Sequence, residues 1–346
     1  MAAFRLTPIA RARSARRPFR TITSLWDGGP PPRPSFHSTA EVEFDMGTFG
    51  TSRESLPQFE DRLVLGHQGL RVSPFCIGHV GSPDTIEAAF EAGINFFFIS
   101  ADLHWPWYEG TRQGVRQLLK HRPASREQIV VAGVSYLMAP LTEHCLPFRE
   151  LLQEIPELRR IDLLIAGAAY GKEYGERLPA YEKRRREQWL GARAIGTTFH
   201  DRAAALWAIQ DRLIDLAFVR YNPAHAGARK DLFPHVPSAV PAREAAANGK
   251  DARTLLFCFN STSAHLTSEE LKDLGLNEHP SWSPEITDHY RYVLTRPEVN
   301  GILMAPETPE ELEGIARALV KGPLTIEEES YLVDLASHLV NEASIG

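Results

Sequence analysis

The feature that most constrains this chain is a repeated alternation. Apolar runs stand at 73–78 (SPFCIG), 95–101 (NFFFISA), 128–135 (QIVVAGVS) and 161–168 (IDLLIAGA). They recur at 192–198 (ARAIGTT), 213–221 (LIDLAFVRY), 254–261 (TLLFCFNS) and 299–305 (VNGILMA). Runs that are apolar at consecutive positions suit parallel strands covered on both faces. The segments between them start and stop as helices do. PDTIEAAFEAG (83–93) opens on Pro and acids and closes on Gly, and TPEELEGIARALVKG (308–322) has a Thr cap, acids in its first turn, and Lys and Gly at its end. Segments 109–121, 143–159, 173–189, 201–212 and 284–296 carry similar helical patterning. Successive βα units without a long break predict an α/β fold, a (β/α)8 TIM barrel. RLVLGHQGLR (63–72) reads as a small hairpin closing the barrel bottom, and the Pro- and Gly-rich insertion 222–253 as a loop with one short helix.

Composition narrows the function classes. A hydrophobic content of 43% with 24% charged residues is that of a soluble globular protein. The net charge of −6 carries no basic excess, so nucleic acid is not an indicated partner. No apolar run approaches the ~20 residues of a membrane-spanning helix. Cys76, Cys145 and Cys258 are far apart and form no CxxC pair, which points to a reducing compartment, and the expected location is the cytoplasm. The N-terminus differs: Arg5, Arg11, Arg13, Arg16, Arg17 and Arg20 precede the first acid, Asp27, and GGPPPRP follows at 28–34. Residues 1–58 are therefore expected to be a disordered leader, with a transit peptide for organelle import and a mis-assigned start (Met46 being the alternative) as the two other readings; residues 59–346 are assigned to the barrel.

In such barrels the active site lies at the C-terminal ends of the strands. Those ends carry Gly78–His79, Asp102–His104, Ser135–Tyr136, Tyr170, Thr198–His200, Arg220–Asn222, Asn260–Ser261 and Ala305–Pro306. The stretch INFFFISADLHWPWYEG (94–110) then reads as a buried strand with a polar and aromatic working end.

Several separated segments resemble the aldo-keto reductases in order and spacing: LVLGHQGLRVSPFCIGHVG, AFEAGINFFFISAD, IDLL, AIGTT, VRYN and PEVNGILMAPETPEELEGI, together covering about residues 63–335. The resemblance implies a (β/α)8 barrel that reduces carbonyls with NADPH, using a Tyr as acid, assisted by Lys and His, with an Asp holding the Lys. Each of those positions differs here. The second strand is one residue longer than the family's, so the Asp falls on Ile99 or Phe98 and the Tyr on His104. The Lys falls on Gly133 or Val134 and the His on Gly167. The family's GVSNF reads GTTFH at 196–200, where Thr198 can replace a Ser as a cofactor ligand but Phe199 cannot replace an Asn. Phe218 stands for a Gln, and Ala305 and Glu307 stand where a Gly and a basic residue cradle phosphates. A carboxylate there repels a phosphate.

The candidate chemistry follows from what remains. His104 with Asp102 is the leading acid–base pair, with Tyr108 and Glu109 as further catalytic candidates. Asp102, His104 and His79 also make a two-imidazole, one-carboxylate set suited to Fe or Zn. Trp105 and Trp107 are candidate walls of an apolar pocket. His200, Arg220, Tyr221 and Asn222 are candidate substrate contacts, Arg220 for an anionic group. For each there is a plainer reading: a helix or loop cap for Asp102, a helix start for Tyr108 and Glu109, a rim cover for the tryptophans, an ion pair for Arg220. The leading expectation is a small-molecule enzyme of oxidoreductase descent with a site rebuilt on His104 and Asp102. The alternatives are a metal-dependent enzyme on the same barrel and a non-catalytic, ligand-binding or regulatory barrel. The sequence does not set the oligomeric state.

Overall fold

The structure, a computed structural model, describes residues 53–137, 145–169, 171–187, 190–238, 253–273 and 282–342. All belong to the compact unit Met46–Gly346. The expected hairpin is present: β1 (Leu63–Leu65) runs antiparallel to β2 (Leu70–Val72). Gly66 and Gly69 supply the left-handed positions of its turn, at φ 66° and 62°, where a Cβ would be strained.

Eight parallel strands follow: β3 (Phe75–Ile77), β4 (Phe96–Ser100), β5 (Val130–Ser135), β6 (Leu163–Ala169), β7 (Ala194–Phe199), β8 (Leu216–Arg220), β9 (Leu255–Phe259) and β10 (Gly301–Met304). Each lies within or against one of the apolar runs. They close into a barrel in sequence order, with β10 paired to β3. Helices Asp84–Glu91, Glu109–His121, Leu146–Glu154, Gly171–Glu187, Arg202–Gln210, Ile286–Leu294 and Pro309–Val320 fill the expected crossovers. The segment expected to be helical over 143–159 breaks after Glu154, and Pro156 begins a separate 3-10 turn to Leu158.

Three features go beyond the sequence reading. Residues 53–58, assigned there to the leader, include Leu56, which is buried in the core, and Arg53, which donates to the Arg296 and Val299 carbonyls. The described part of the insertion, 222–238, forms short turns and one four-residue helix, Ala228–Asp231, while 239–252 lies outside the described residues. A final helix, Ile326–Glu342, follows the last βα unit and packs Leu332 and Val333 into the outer core.

Strand alternation sorts the side chains into two cores. Phe97, Ile99, Val131, Leu164 and Ile195 face the helices. Cys76, Phe96, Phe98, Val134, Ile165, Phe218 and Phe257 fill the barrel. The interior phenylalanines meet edge to face: Phe96–Phe257 at 5.8 Å, Phe218–Phe257 at 5.7 Å and Phe98–Phe218 at 5.4 Å. Such pairs add ~0.5–1.5 kcal/mol each beyond area burial.

The opposite, N-terminal rim has a fourfold device. At the starts of β4, β6, β8 and β10 stand Asn95, Asp162, Asp215 and Asn300. Their side chains accept the backbone N–H of Ser73, Val131, Ile195 and Leu256, each on the preceding strand or just before it. The sequence shows it as the recurring text INF, IDL, IDL, VNG. Each such bond satisfies a donor that strand pairing leaves open at the rim.

Candidate active site

The C-terminal mouth is set by where β4 and β5 end. Beyond Ser100 the chain leaves the sheet, and the Asp102 carboxylate turns back to β5. It accepts from the Ser135 hydroxyl at 2.6 Å and from the Tyr136 N–H at 2.9 and 3.0 Å, and its own Leu103 N–H lies at 2.6 Å. Both oxygens are thus engaged. Asp102 ties two strand ends together and makes no hydrogen bond to His104 among the described residues, so the expected His–Asp pair is replaced by a strand clasp.

His104 begins the 3-10 turn Trp105–Tyr108. Its ring stacks on Trp107 at 5.0 Å and 7°, and meets the Tyr136 ring edge to face at 4.6 Å. Burial lowers its pKa, and the Asp102 charge opposes that in part. The imidazole is therefore neutral near pH 7 and able to take a proton. Trp107 is 66% exposed, an aromatic face open to solvent over the site, and Leu103 beside it is also exposed.

Tyr108 turns inward, as expected of a catalytic candidate, and packs on Phe98 at 6.0 Å within the barrel cluster. Burial drives its pKa well above the ordinary phenol range, with Tyr136 and Cys76 adding to it. Tyr136 is pushed up to about 12 by burial and then by the Asp102 charge, against the opposing charge of Arg177. Both phenols remain protonated donors at neutral pH. Sequence reasoning placed Tyr136 at a strand end but gave it no role. The signal was Gly167 on the next strand, the small residue that makes room for the Tyr136 ring.

Two other candidates from this stretch point away. Trp105 packs against the outer core under the Arg112 guanidinium, 3.5 Å from its ring centre, and so covers the rim. Glu109 starts the helix Glu109–His121 on the exposed side. A hydrogen bond from Gln113 holds its pKa low, with Arg112 contributing. Trp105 thus matches the plainer reading of a rim cover, and Glu109, expected as a further catalytic candidate, is engaged by the helix it starts.

Across the mouth stand the ends of β7 and β8. Thr198 is buried and Phe199 faces the outer core, so the asparagine-like position of the resemblance turns away from the mouth. His200 meets Phe259 edge to face at 5.8 Å. Arg220 ends β8, two residues beyond the inward Phe218, and makes no hydrogen bond or ion pair among the described residues; its Nε is buried without a partner. Tyr221 faces outward, stacked on Tyr292 at 5.4 Å and accepting from Arg229 at 2.7 Å, so it is not a substrate contact. Asn222 is fully buried. It donates to the Asn260 carbonyl and to Ser263, and its oxygen accepts from the His225 N–H at 2.9 Å and lies 3.1 Å from Nδ1. It positions His225 rather than a ligand.

The expected metal set does not assemble. His79 pairs with Glu307 at 3.4 Å, between β3 and β10, and Asp102 and His104 face Tyr136. Among the described residues no three His, Cys, Asp or Glu side chains gather to hold a metal ion. Tyr170 lies outside the described residues.

NADPH, the cofactor implied by the fold resemblance, does not fit the residues present. The slots for the tetrad Asp and Lys and for the sixth-strand Gln hold the inward Phe98, Val134 and Phe218. The last strand's loop presents Glu307, whose N–H donates to Glu311 Oε2 at 2.9 Å, while the Glu311 N–H donates to Thr308 Oγ1. The N-terminus of helix Pro309–Val320 is thus capped by hydroxyl and carboxylate, and carboxylates stand where a phosphate would dock.

No protein-family model matches the chain, and no curated protein does. Solved structures match in fold. An aldo-keto reductase from Bacillus halodurans in its holo form is similar over 80% of this chain and 96% of its own, at 16% identity and TM-score 0.59. An aldo/keto reductase from Brucella melitensis matches over 80% and 99%, at 13% identity and TM-score 0.52. A putative aldo-keto reductase from Pseudomonas aeruginosa matches over 76% and 97%, at 18% identity and TM-score 0.50. The barrel is aldo-keto-reductase-like.

Proposed function

We propose that the mouth of this aldo-keto-reductase-like barrel binds a small molecule with a flat apolar body and acts on it by proton transfer, with His104 carrying the proton. The observation that supports this reading is the His104 ring itself: neutral, partly open, stacked on Trp107 and set edge to face against Tyr136. A neutral imidazole accepts a proton near pH 7, and the Tyr108 and Tyr136 hydroxyls, held protonated, donate hydrogen bonds to an oxygen brought beside them. Asp102 acts as a positioning residue, since its hold on the Tyr136 N–H fixes the strand end that carries the phenol.

The solved neighbours are reductases. Their hydride chemistry is not carried to this chain, because phenylalanines and carboxylates occupy the cofactor positions. A non-catalytic binding role is the second reading. It is favoured by one observation, that both Asp102 oxygens are engaged by the end of β5 and leave His104 without a carboxylate partner among the described residues.

Saturation-transfer NMR with a library of flat carbonyl compounds finds ligands, and solvent-deuterium incorporation at an acidic C–H then reads proton transfer. The expected result is exchange that falls at least ~100-fold in His104→Gln while binding changes little. Binding without exchange above the solvent rate would leave the non-catalytic reading.

A further inference from the structure

β4 and β8 stand opposite each other in the closed barrel, and Phe98 and Phe218 meet across its interior at 5.4 Å. Two residues past Phe218, β8 ends in Arg220. We infer that this side of the mouth is an anion clamp: Arg220, flanked by His200 and His225, receives a carboxylate or phosphate carried by the small molecule whose flat body lies against His104 and Trp107. This rests on the reading of the mouth as a small-molecule site.

Three observations carry the inference. First, Arg220 is half-buried, and among the described residues its Nε has no partner and no carboxylate pairs with it, whereas the buried Arg126, Arg229 and Arg291 each pair with an acid. A desolvated guanidinium without a counter-charge is costly to fold and becomes favourable once an anion arrives. Second, the Arg220 charge reaches both histidines. It adds to burial in lowering the pKa of His200, and it does so at His225 together with Arg202. Third, the sequence devotes a fully buried Asn222 to fixing His225, through both the backbone N–H and Nδ1. That bond makes Nδ1 the donor and leaves Nε2 as the unprotonated ring nitrogen, an acceptor for a ligand hydroxyl beside the anion. A guanidinium fork suits planar or tetrahedral anionic oxygens.

The test uses 2-naphthoate, 2-naphthyl phosphate and the uncharged 2-naphthamide, with binding read by quenching of tryptophan fluorescence and by saturation-transfer NMR. The wild-type chain is expected to bind at least one of the two anions about tenfold or more tightly than the amide, as one charge-assisted bond provides. Which anion is preferred distinguishes carboxylate from phosphate ligands. In Arg220→Gln the preference is expected to vanish while amide binding is kept, which also shows that the variant is folded. Equal binding of anion and amide to the wild type, or a preference that survives in Arg220→Gln, overturns the clamp and leaves the mouth reading standing. Failure of all three ligands to bind overturns both.

Discussion

The ring of Tyr136 occupies the space that a side chain at Gly167 would need. A Cβ on residue 167 would lie 2.6 Å from both Cδ1 and Cε1 of Tyr136. The position that the resemblance assigns to a catalytic histidine has thus been emptied, and an aromatic ring from the neighbouring strand has taken it. Gly167→His is expected to destabilise the fold by ~1–3 kcal/mol through overpacking, and to confer no reductase activity. Adding Tyr136→Ala should recover much of that loss. Urea denaturation of the two variants and the wild type checks both statements; full stability in Gly167→His alone would contradict the placement of Tyr136.

His104 is expected to titrate below the ordinary histidine value, because burial outweighs the Asp102 charge. The sign is that of a base bound less by protons in the native state than in the unfolded state. Its contribution is present above the unfolded pKa of ~6.5 and is lost as pH falls through that value toward the folded one. Trp107→Ala should raise the titration toward ~6.5 by opening the ring to water, and Asp102→Asn should lower it further. NMR titration of the imidazole resonances reads all three. A His104 titrating above ~6.5 in the wild type would contradict the site as described.

His289 is a stronger case away from the mouth. It is buried on helix Ile286–Leu294, its Nδ1 has no partner among the described residues, and burial with the nearby His265 drops its pKa to about 3 against the opposing Asp288. The unfolded chain therefore takes up a proton that the native one refuses between pH ~6.5 and about 3. Over that window stability should fall by up to ~1.4 kcal/mol per pH unit from this group. His289→Gln is expected to flatten the difference, seen as a smaller loss of denaturation midpoint between pH 7 and pH 5.

The fourfold rim device makes a separate prediction. Asp162 is buried with Arg126 at 2.8 Å and also holds the Val131 N–H at 2.9 Å. Asp162→Ala strands a buried guanidinium and an amide, and is expected to cost ~3–5 kcal/mol. Glu313→Ala, which breaks the exposed pair with Arg317, should cost under ~0.5 kcal/mol. Similar losses in the two variants would remove the device from the account of stability.

The barrel was legible because its signal is periodic. Consecutive apolar residues at 95–101 or 161–168 have few ways to be satisfied except as strands covered on both sides. The rim motif INF, IDL, IDL, VNG was equally present in the text, but its meaning depends on which strands become neighbours. At the mouth, Tyr108 lies against the barrel cluster and Arg220 ends β8. Alternation did not foresee that Asp102 would engage β5 instead of His104, since short polar side chains find partners by tertiary proximity. Trp105 and Trp107 differ by two residues yet part company, because the turn Trp105–Tyr108 is 3-10 rather than extended. Two-residue alternation belongs to extended chain and does not hold in such a turn. The final helix lay beyond the last βα unit, where the repeat offers no guide.

A fluorescence titration of the wild-type chain with NADPH tests most directly whether this barrel mouth works without a nicotinamide cofactor. With Phe98 and Phe218 inside the mouth and Glu307 and Glu311 at the last strand's loop, the expectation is no saturable change in NADPH emission up to about 1 mM. A saturable change with a dissociation constant of a few micromolar would contradict the account.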